Sequence, residues 1–364
     1  MNRKPGELGR LGLLIALACL SADAHSQNSV TLYGSIDEGV TYNTNAKGSG
    51  SATVGPVAVP DFFGIRGSEE LGNQLSAVFA LQSGFVSNTG ASTIPNEAFS
   101  HFAWLGIKGP LGTVSLGRQL DLTTEALRLN SNGSLQYTFY LFHPANLDNV
   151  GIMGDSINNS VRYTSPNIGG ATFSGIYGFD DTTTQPGRVI SLDISYASGP
   201  LRASAVYSSW HDHAIDVGSK LGYTSFLGEA LSSTKIFTAR TQTISGISGT
   251  YSLNKTLDLH GMLTQVNLST ASGSGRMRTV ELGADIHTTP FNTITLGGYT
   301  SYLTDTRYSE LGVGDVYLLS KRTAVYAQLA YQHANGEGNA AIPLLAPSNG
   351  ANQAAFRIGM HHFF

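Results

Sequence analysis

The chain has 364 residues, of which 21 are Lys or Arg and 25 are Asp or Glu, so only 13% are charged, and its mean hydropathy is −0.03. This balance excludes a polar disordered chain and a bundle of apolar membrane helices. The mild acidity argues against a nucleic-acid partner.

Read from the start, the only ten-residue apolar run is Leu11 to Leu20, behind Arg3, Lys4 and Arg10 and ahead of small residues. A spanning helix needs about 20 apolar residues. The layout is that of a secretory signal peptide, with cleavage expected after Ala24 or after Ser26. Either cut takes three basic and two acidic residues, leaving 18 against 23 and a net charge of −5. Cys19, the one cysteine, lies in this segment. A lipoprotein site is one reading of it, although Ala16-Leu17-Ala18-Cys19 lacks the usual Leu. In the other reading Cys19 is discarded and the mature chain has no thiol, disulfide or cysteine metal site.

Downstream, sixteen short segments alternate apolar and polar residues. The first eight are Val30 to Asn43, Asp61 to Ser68, Asn73 to Val86, Ala98 to Lys108, Gly112 to Gln119, Asn159 to Ser165, Ala171 to Phe179 and Arg188 to Ala197. The second eight are Leu201 to Trp210, Ala239 to Leu253, Thr256 to Leu268, Met277 to His287, Phe291 to Leu303, Gly312 to Leu319, Thr323 to Ala334 and Gln353 to Phe364. In the eighth, Ile190, Leu192, Ile194 and Tyr196 share one face and Ser191, Asp193 and Ser195 the other, as a period of two requires. Val325, Ala327, Leu329 and Tyr331 oppose Tyr326, Gln328, Ala330 and Gln332 in the same way. The last strand sets Phe356, Ile358, Met360, His362 and Phe364 against Arg357, Gly359 and His361. One face suits hydrocarbon and the other water.

The connections alternate as well. After even-numbered strands they are tight, as in Gly109-Pro110-Leu111, Ser198-Gly199-Pro200 and Ser320-Lys321-Arg322. After odd-numbered strands they are generally long, as in Thr44 to Pro60, Asp121 to Asn158, His211 to Thr238 and Asn335 to Asn352. Gly, Pro, Asn and Ser supply the turn chemistry, and the tract Gly48-Ser49-Gly50-Ser51 is expected as loop. This asymmetry is that of an outer-membrane barrel, with turns in the periplasm and loops outside. In hydrocarbon each unpaired backbone group costs several kcal/mol, so the sheet must close. About sixteen strands leave a lumen that side chains do not fill. The expected fold is therefore an all-β, transmembrane antiparallel barrel holding water.

Several blocks then carry a resemblance: Val30-Thr31-Leu32-Tyr33-Gly34-Ser35-Ile36-Asp37, Phe63-Gly64-Ile65-Arg66-Gly67-Ser68-Glu69-Glu70-Leu71-Gly72, Leu111-Gly112-Thr113-Val114-Ser115-Leu116-Gly117-Arg118-Gln119, Asn158-Asn159-Ser160-Val161-Arg162-Tyr163 and Leu319-Ser320-Lys321-Arg322-Thr323. From about Gln27 to Phe364 the chain resembles the general Gram-negative outer-membrane porins of the beta-proteobacterial type. The resemblance implies a homotrimeric channel in the cell outer membrane, passing ions and small hydrophilic solutes by passive diffusion. It also implies a mature start at Gln27, a single barrel over 27–364, and a third long loop, about 120–158, folded inward as a constriction. Phe364 is similar to the terminal signal read by the barrel-assembly machinery. No cofactor or metal is implied, and outer-membrane lipid is the surrounding partner.

The constriction loop would present Asp121, Glu125, Asp148 and Asp155 against Arg128. The wall would present Arg66, Arg118 and Arg162. Arg66 and Arg162 have lumen parity. Arg118 lacks it unless a bulge at Gly117 or the strand end swings it inward. An arginine facing the bilayer midplane costs about 2–4 kcal/mol, which favours the lumen. Two roles stay open for these residues: a transverse field that orients solutes and biases ions, or pairing that holds the loop. Ile157 and His361 stand where relatives often carry basic residues, which weakens the positive wall and any strong anion preference. Trp104 and Trp210 are expected in the interface girdles. A substrate-selective channel, a barrel enzyme and an adhesive barrel are the rival functions. For an enzyme only His211-Asp212-His213 offers chemistry, without a GxSxG or HExxH motif, and a solvated loop is the plainer reading of that tripeptide. The intact mass of the protein recovered from outer membranes should match a chain starting at Gln27 or His25; a mass that includes 1–24 contradicts the signal reading.

Overall fold

Each expected strand pairs on both sides with an antiparallel neighbour, and the last pairs with the first. The first eight strands are β1 (Ser29–Ala46), β2 (Asp61–Gly72), β3 (Leu75–Val86), β4 (Phe102–Gly109), β5 (Gly112–Leu120), β6 (Ser156–Thr164), β7 (Ala171–Gly178) and β8 (Val189–Ser198). The other eight are β9 (Leu201–Ile215), β10 (Phe237–Asn254), β11 (Leu257–Ser269), β12 (Ser274–Thr289), β13 (Asn292–Leu303), β14 (Thr306–Leu318), β15 (Thr323–Asn335) and β16 (Asn352–Phe363). They form a closed 16-strand antiparallel barrel in a computed structural model. The structure describes residues 29–55, 60–131, 143–151, 155–181, 183–232 and 235–364. The expected signal segment 1–26, with Cys19, lies outside the described residues.

Closure runs through β1. Its residues Ser35 to Asn43 pair with Phe363 to Ala355 of β16. On its other edge Ser29 to Ser35 pair with β2, while Gly39 to Ala46 pair with a short strand, Ser49–Gly55, that precedes β2. The tract expected as loop at Gly48 to Ser51 is therefore a hairpin. Lys47 and Gly48 make its turn with φ of +55° and +104°, angles that the Gly tolerates freely. The strand β14 also starts earlier than expected, at Thr306, behind a two-residue turn at Thr304 and Asp305. Its outward residues there, Arg307 and Ser309, are polar, so the apolar alternation stops while the backbone ladder continues. Parity follows the solvent, not the hydrogen bonds.

Within the apolar band the alternation holds. On β12 Leu282 is 66% exposed and Glu281 1%; on β16 Ile358 is 57% exposed and Arg357 fully buried. Outward tyrosines such as Tyr302 and Tyr331 near the long-loop rim, and Tyr196 and Tyr317 near the short-turn rim, occupy the girdle levels. The two tryptophans do not. Trp104 lies opposite Ala80 and shares its inward face, and Trp210 is buried inside. Both have the parity of the lumen, which overrides their general preference for interfaces.

The inner wall is partly clothed by loops. Phe237, Val266, Leu268, Met277, Leu303 and Tyr308 face inward near the long-loop rim and pack with Leu147, with Leu221 of a short helix α2 (Val217–Leu221), and with Ala340 and Ala341. Burying such surface stabilises by roughly 25 cal/mol per Å², which is why these loops fold in.

A buried polar lock spans the seam. Arg357 donates through Nη2 to Asp37 Oδ1 at 2.7 Å and to Gly55 O at 2.8 Å, and through Nη1 to Thr41 Oγ1 at 3.0 Å. Tyr326 of β15 donates to Asp37 at 2.7 Å and accepts from Arg357 Nε at 2.7 Å. Three strands are thus tied where the cylinder closes. Removing one partner of a buried pair typically destabilises by about 3–5 kcal/mol. Arg357→Ala should accordingly lower the unfolding free energy that urea titration of the vesicle-embedded protein yields by about 3–5 kcal/mol; an unchanged value would show the lock to be dispensable.

Candidate functional site

The longest connection, from Asp121 to Asp155, turns into the barrel at once. Its helix α1 (Leu122–Arg128) places Leu122, Ala126 and Leu127 against the inner faces of β7 to β11, on Ile176, Val189, Val206, Trp210 and Met262. Ile157, where relatives often have a basic residue, is fully buried in the same cluster. It holds the loop by packing instead of presenting charge.

Polar groups fix the far end of the loop. His143 Nδ1 lies 2.5 Å from Asp148 Oδ2, and Nε2 lies 2.9 Å from Glu281 Oε2 of β12. Asp148 also accepts from Thr264 Oγ1 at 2.5 Å, and Tyr299 meets the imidazole edge-on at 5.0 Å. Burial alone would favour the neutral ring. Asp148, and after it Glu281, outweigh burial and push the His143 pKa up to about 10. The imidazolium therefore donates to both carboxylates at neutral pH and clamps loop to wall.

Two of the four expected loop acids turn away from the opening. Asp148 belongs to this clamp, and Asp121, fully buried, accepts from Asn149 Nδ2 at 3.0 Å and Ser208 Oγ at 3.1 Å. The other two stay in contact with water. Glu125 forms a bidentate pair with Arg162, at 2.8 and 2.7 Å. Asp155 lies 3.6 Å from His213 Nε2.

The arginines divide in the same way. A register shift between Gly117, at φ +132°, and Gln119 takes Arg118 out of the strict alternation of β5. A Cβ at Gly117 would stand 2.3 Å from Ala103 O, so only glycine fits. The Arg118 guanidinium reaches Glu97 Oε2 at 3.1 Å, Ser100 O at 2.7 Å and Asn158 Oδ1. Beside it His101 is kept neutral, pushed down to about 4 by burial and then by Arg118 and Arg128. Arg66 is different. It is exposed on β2, lies 5.2 Å over the Tyr33 ring, and has no ion-pair partner among the described residues.

Residues absent from the expected site prove central to its geometry. Glu97 and Glu281 are carboxylate partners supplied by a different loop and by the wall, and no local pattern links them to Arg118 or His143. Arg357 was legible as inward-facing, but its partners lie on β1 and β15. The tripeptide at His211 is part of β9 and not a solvated loop: His213 stacks on Trp210 at 4.6 Å and sits 2.5 Å from Gln242 Oε1. At the seam Phe364 N donates to Gly34 O at 3.1 Å, and a Cβ at Gly34 would fall within 2.2 Å of the Phe364 ring. Glycine there is required by that close approach.

A sequence model of the Gram-negative porin family matches residues 13–337. The chain belongs to that family. It is similar to outer membrane porin protein 32 of Delftia acidovorans, at 29% identity over 374 residues that cover 96% of this chain and 99% of that protein. It has the fold of a porin from Comamonas acidovorans described as anion-selective, with a TM-score of 0.75 and 23% identity over 93% of this chain and all of that one. The trimer form of OmpT from Vibrio cholerae matches with a TM-score of 0.68 at 14% identity, over 93% of this chain and 99% of that one. The protein is thus an outer-membrane porin of a Gram-negative bacterium, a channel for passive diffusion and not an enzyme.

The clamp has a pH signature. A His pKa raised from 6.5 to about 10 adds stability that is complete below the lower value and lost as pH climbs through the upper one. Thermal stability of the folded porin should therefore fall between pH 9 and 11 by more in the wild type than in His143→Gln; equal slopes would contradict a charged clamp.

Proposed function

We propose that the loop 121–155 forms the narrowest section of the bore and that ion preference is set there by the charge left over after pairing. The carrying observation is the contrast between Arg66, exposed and without a carboxylate partner among the described residues, and Arg118 and Arg162, each held by one. Acidic Asp121 and Asp148 contribute nothing to the opening, and Glu125 and Asp155 have basic neighbours. Most of the field across the opening therefore cancels over a few ångströms, and water screens the remainder further. What survives is a modest positive bias centred on Arg66. Pairing, the more conservative of the two roles, then accounts for Arg118 and Arg162, while Arg66 keeps the role in selectivity.

The preferred solutes are small hydrophilic anions, with cations admitted less readily. The anion-selective description of the Comamonas porin, which shares the fold, supports the direction of the bias. Trimer assembly is carried over from the trimer form of OmpT. For Phe364 we propose the part of the terminal assembly signal, supported by the alternating exposed Phe356, Ile358 and Met360 before it.

Reversal potentials in a salt gradient test the charge assignment. Arg66→Gln should reduce the anion-to-cation permeability ratio severalfold, whereas Glu125→Gln, by freeing Arg162, should raise it. An unchanged ratio in both variants removes selectivity from these residues.

A further inference from the structure

The bore is lined unevenly. Loops cover much of the inner wall from β7 to β15, where the inward rings of Trp210, Tyr299, Tyr308 and Tyr326 are buried. Across the barrel, on β1 to β4, inward rings are only half-buried. These are Tyr33, Phe62, Phe102 and Trp104, and Arg66 stands exposed among them. Ring surface that water still touches is hydrophobic contact left unmade.

The strand register places these side chains as a set. Arg66 pairs with Ala80 of β3, and Ala80 pairs with Trp104 of β4. At one inward level, therefore, Arg66 and Trp104 stand two strands apart, roughly 10 Å, with only a methyl group between them. One pleat nearer the long-loop rim the row runs Tyr33, Gly64, Gln82 and Phe102. A Cβ at Gly64 would fall 2.6 Å from the Tyr33 ring, so the missing side chain lets that ring lie across β2. The Arg66 guanidinium lies 5.2 Å from the centre of the same ring, a cation–π contact that positions it without neutralising it. Phe62 meets Tyr33 edge-on at 6.1 Å and tilts against His101 at 6.3 Å. Gln82 Nε2 donates to His101 Nδ1 at 2.7 Å, which holds the imidazole at the edge of the set.

From this juxtaposition we infer that the inner wall of β1 to β4 is a binding subsite for small aromatic carboxylates, with the carboxylate on Arg66 and the ring against Trp104 and Phe102. The inference rests on the reading that Arg66 is exposed in the bore without a carboxylate partner. A guanidinium takes a carboxylate by paired hydrogen bonds, and aromatic side chains take a ring by stacking or edge contact. The separation of about two strands suits a solute that carries both groups. A few placed polar groups beside apolar ring surface is the usual make-up of a small-molecule site. Solutes of this class would be retained briefly at the wall, whereas simple anions pass.

The test uses the full porin in planar bilayers carrying a chloride current, with benzoate as the probe, acetate as the carboxylate without a ring and benzyl alcohol as the ring without a charge. In the wild type benzoate should reach half-block at a concentration on the order of tenfold below that of acetate, and benzyl alcohol should not block. Trp104→Leu, which keeps an apolar side chain, should abolish the difference between benzoate and acetate. Equal block by benzoate and acetate in the wild type overturns the proposal without any variant, and so does block by benzyl alcohol equal to that by benzoate. A benzoate preference untouched in both Trp104→Leu and Phe102→Leu also overturns it. The charge of Arg66 is read separately, from the reversal potential of Arg66→Gln in KCl. A permeability ratio that falls in that variant, together with equal block by benzoate and acetate in the wild type, refutes the subsite and leaves the selectivity reading standing. An unchanged ratio together with undiminished benzoate block in Arg66→Gln refutes both.

Discussion

Closure of the backbone ladder is the constraint on which the rest of this porin depends. In hydrocarbon no water satisfies a free strand edge, so every edge must be paired. In this chain the burden falls on β1, which meets β16 along one side and both β2 and its preceding short strand along the other. The polar lock of Arg357, Asp37 and Tyr326 lies directly across that junction. Its charges are affordable because each donor and acceptor finds a partner inside the wall.

Once the cylinder is closed, parity sends every second side chain inward, and the inner surface becomes a site for loops as well as for solutes. Apolar inward residues near the long-loop rim draw in the loops, and α1 settles over the wall of β7 to β11. The His143 clamp then fixes a loop that helix propensity alone could not, since a seven-residue helix is too short to be stable by itself. The same inward geometry brings carboxylates within reach of Arg118, Arg162 and Arg357. Charge in the bore is therefore governed less by how many basic residues line it than by which ones lack a neighbour.

The barrel was legible because its physics is local: a period of two, tight turns after even strands and long connections after odd ones. Strand ends were less so. At Arg307 and Ser309 the apolar signal ends where headgroups begin, although the ladder runs on to Thr306, and at Ser49 to Gly55 a glycine-rich tract pairs because β1 offers an open edge. Of the site, Arg66 and Arg162 were legible by parity, and Arg118 through the glycine before it. The fates of Asp121 and Asp148 were not, because burial of a loop acid depends on Ser208, Thr264 and His143, which are brought together only by the closed fold. Trp104 and Trp210 show the same limit, since residue type pointed to the interface and register placed them inside.

The central claim is that a closed wall separates a wetted inner face carrying Arg66 from a lipid-facing outer one. The mature chain lacks cysteine if Cys19 leaves with the signal segment, so single thiols can report on each face. Conductance of Arg66→Cys and of Leu296→Cys in planar bilayers, before and after a charged water-soluble thiol reagent, is the most direct measurement. The account predicts that the current falls at the first position and is unaffected at the second; an equal response at both, or none at Arg66→Cys, would contradict it.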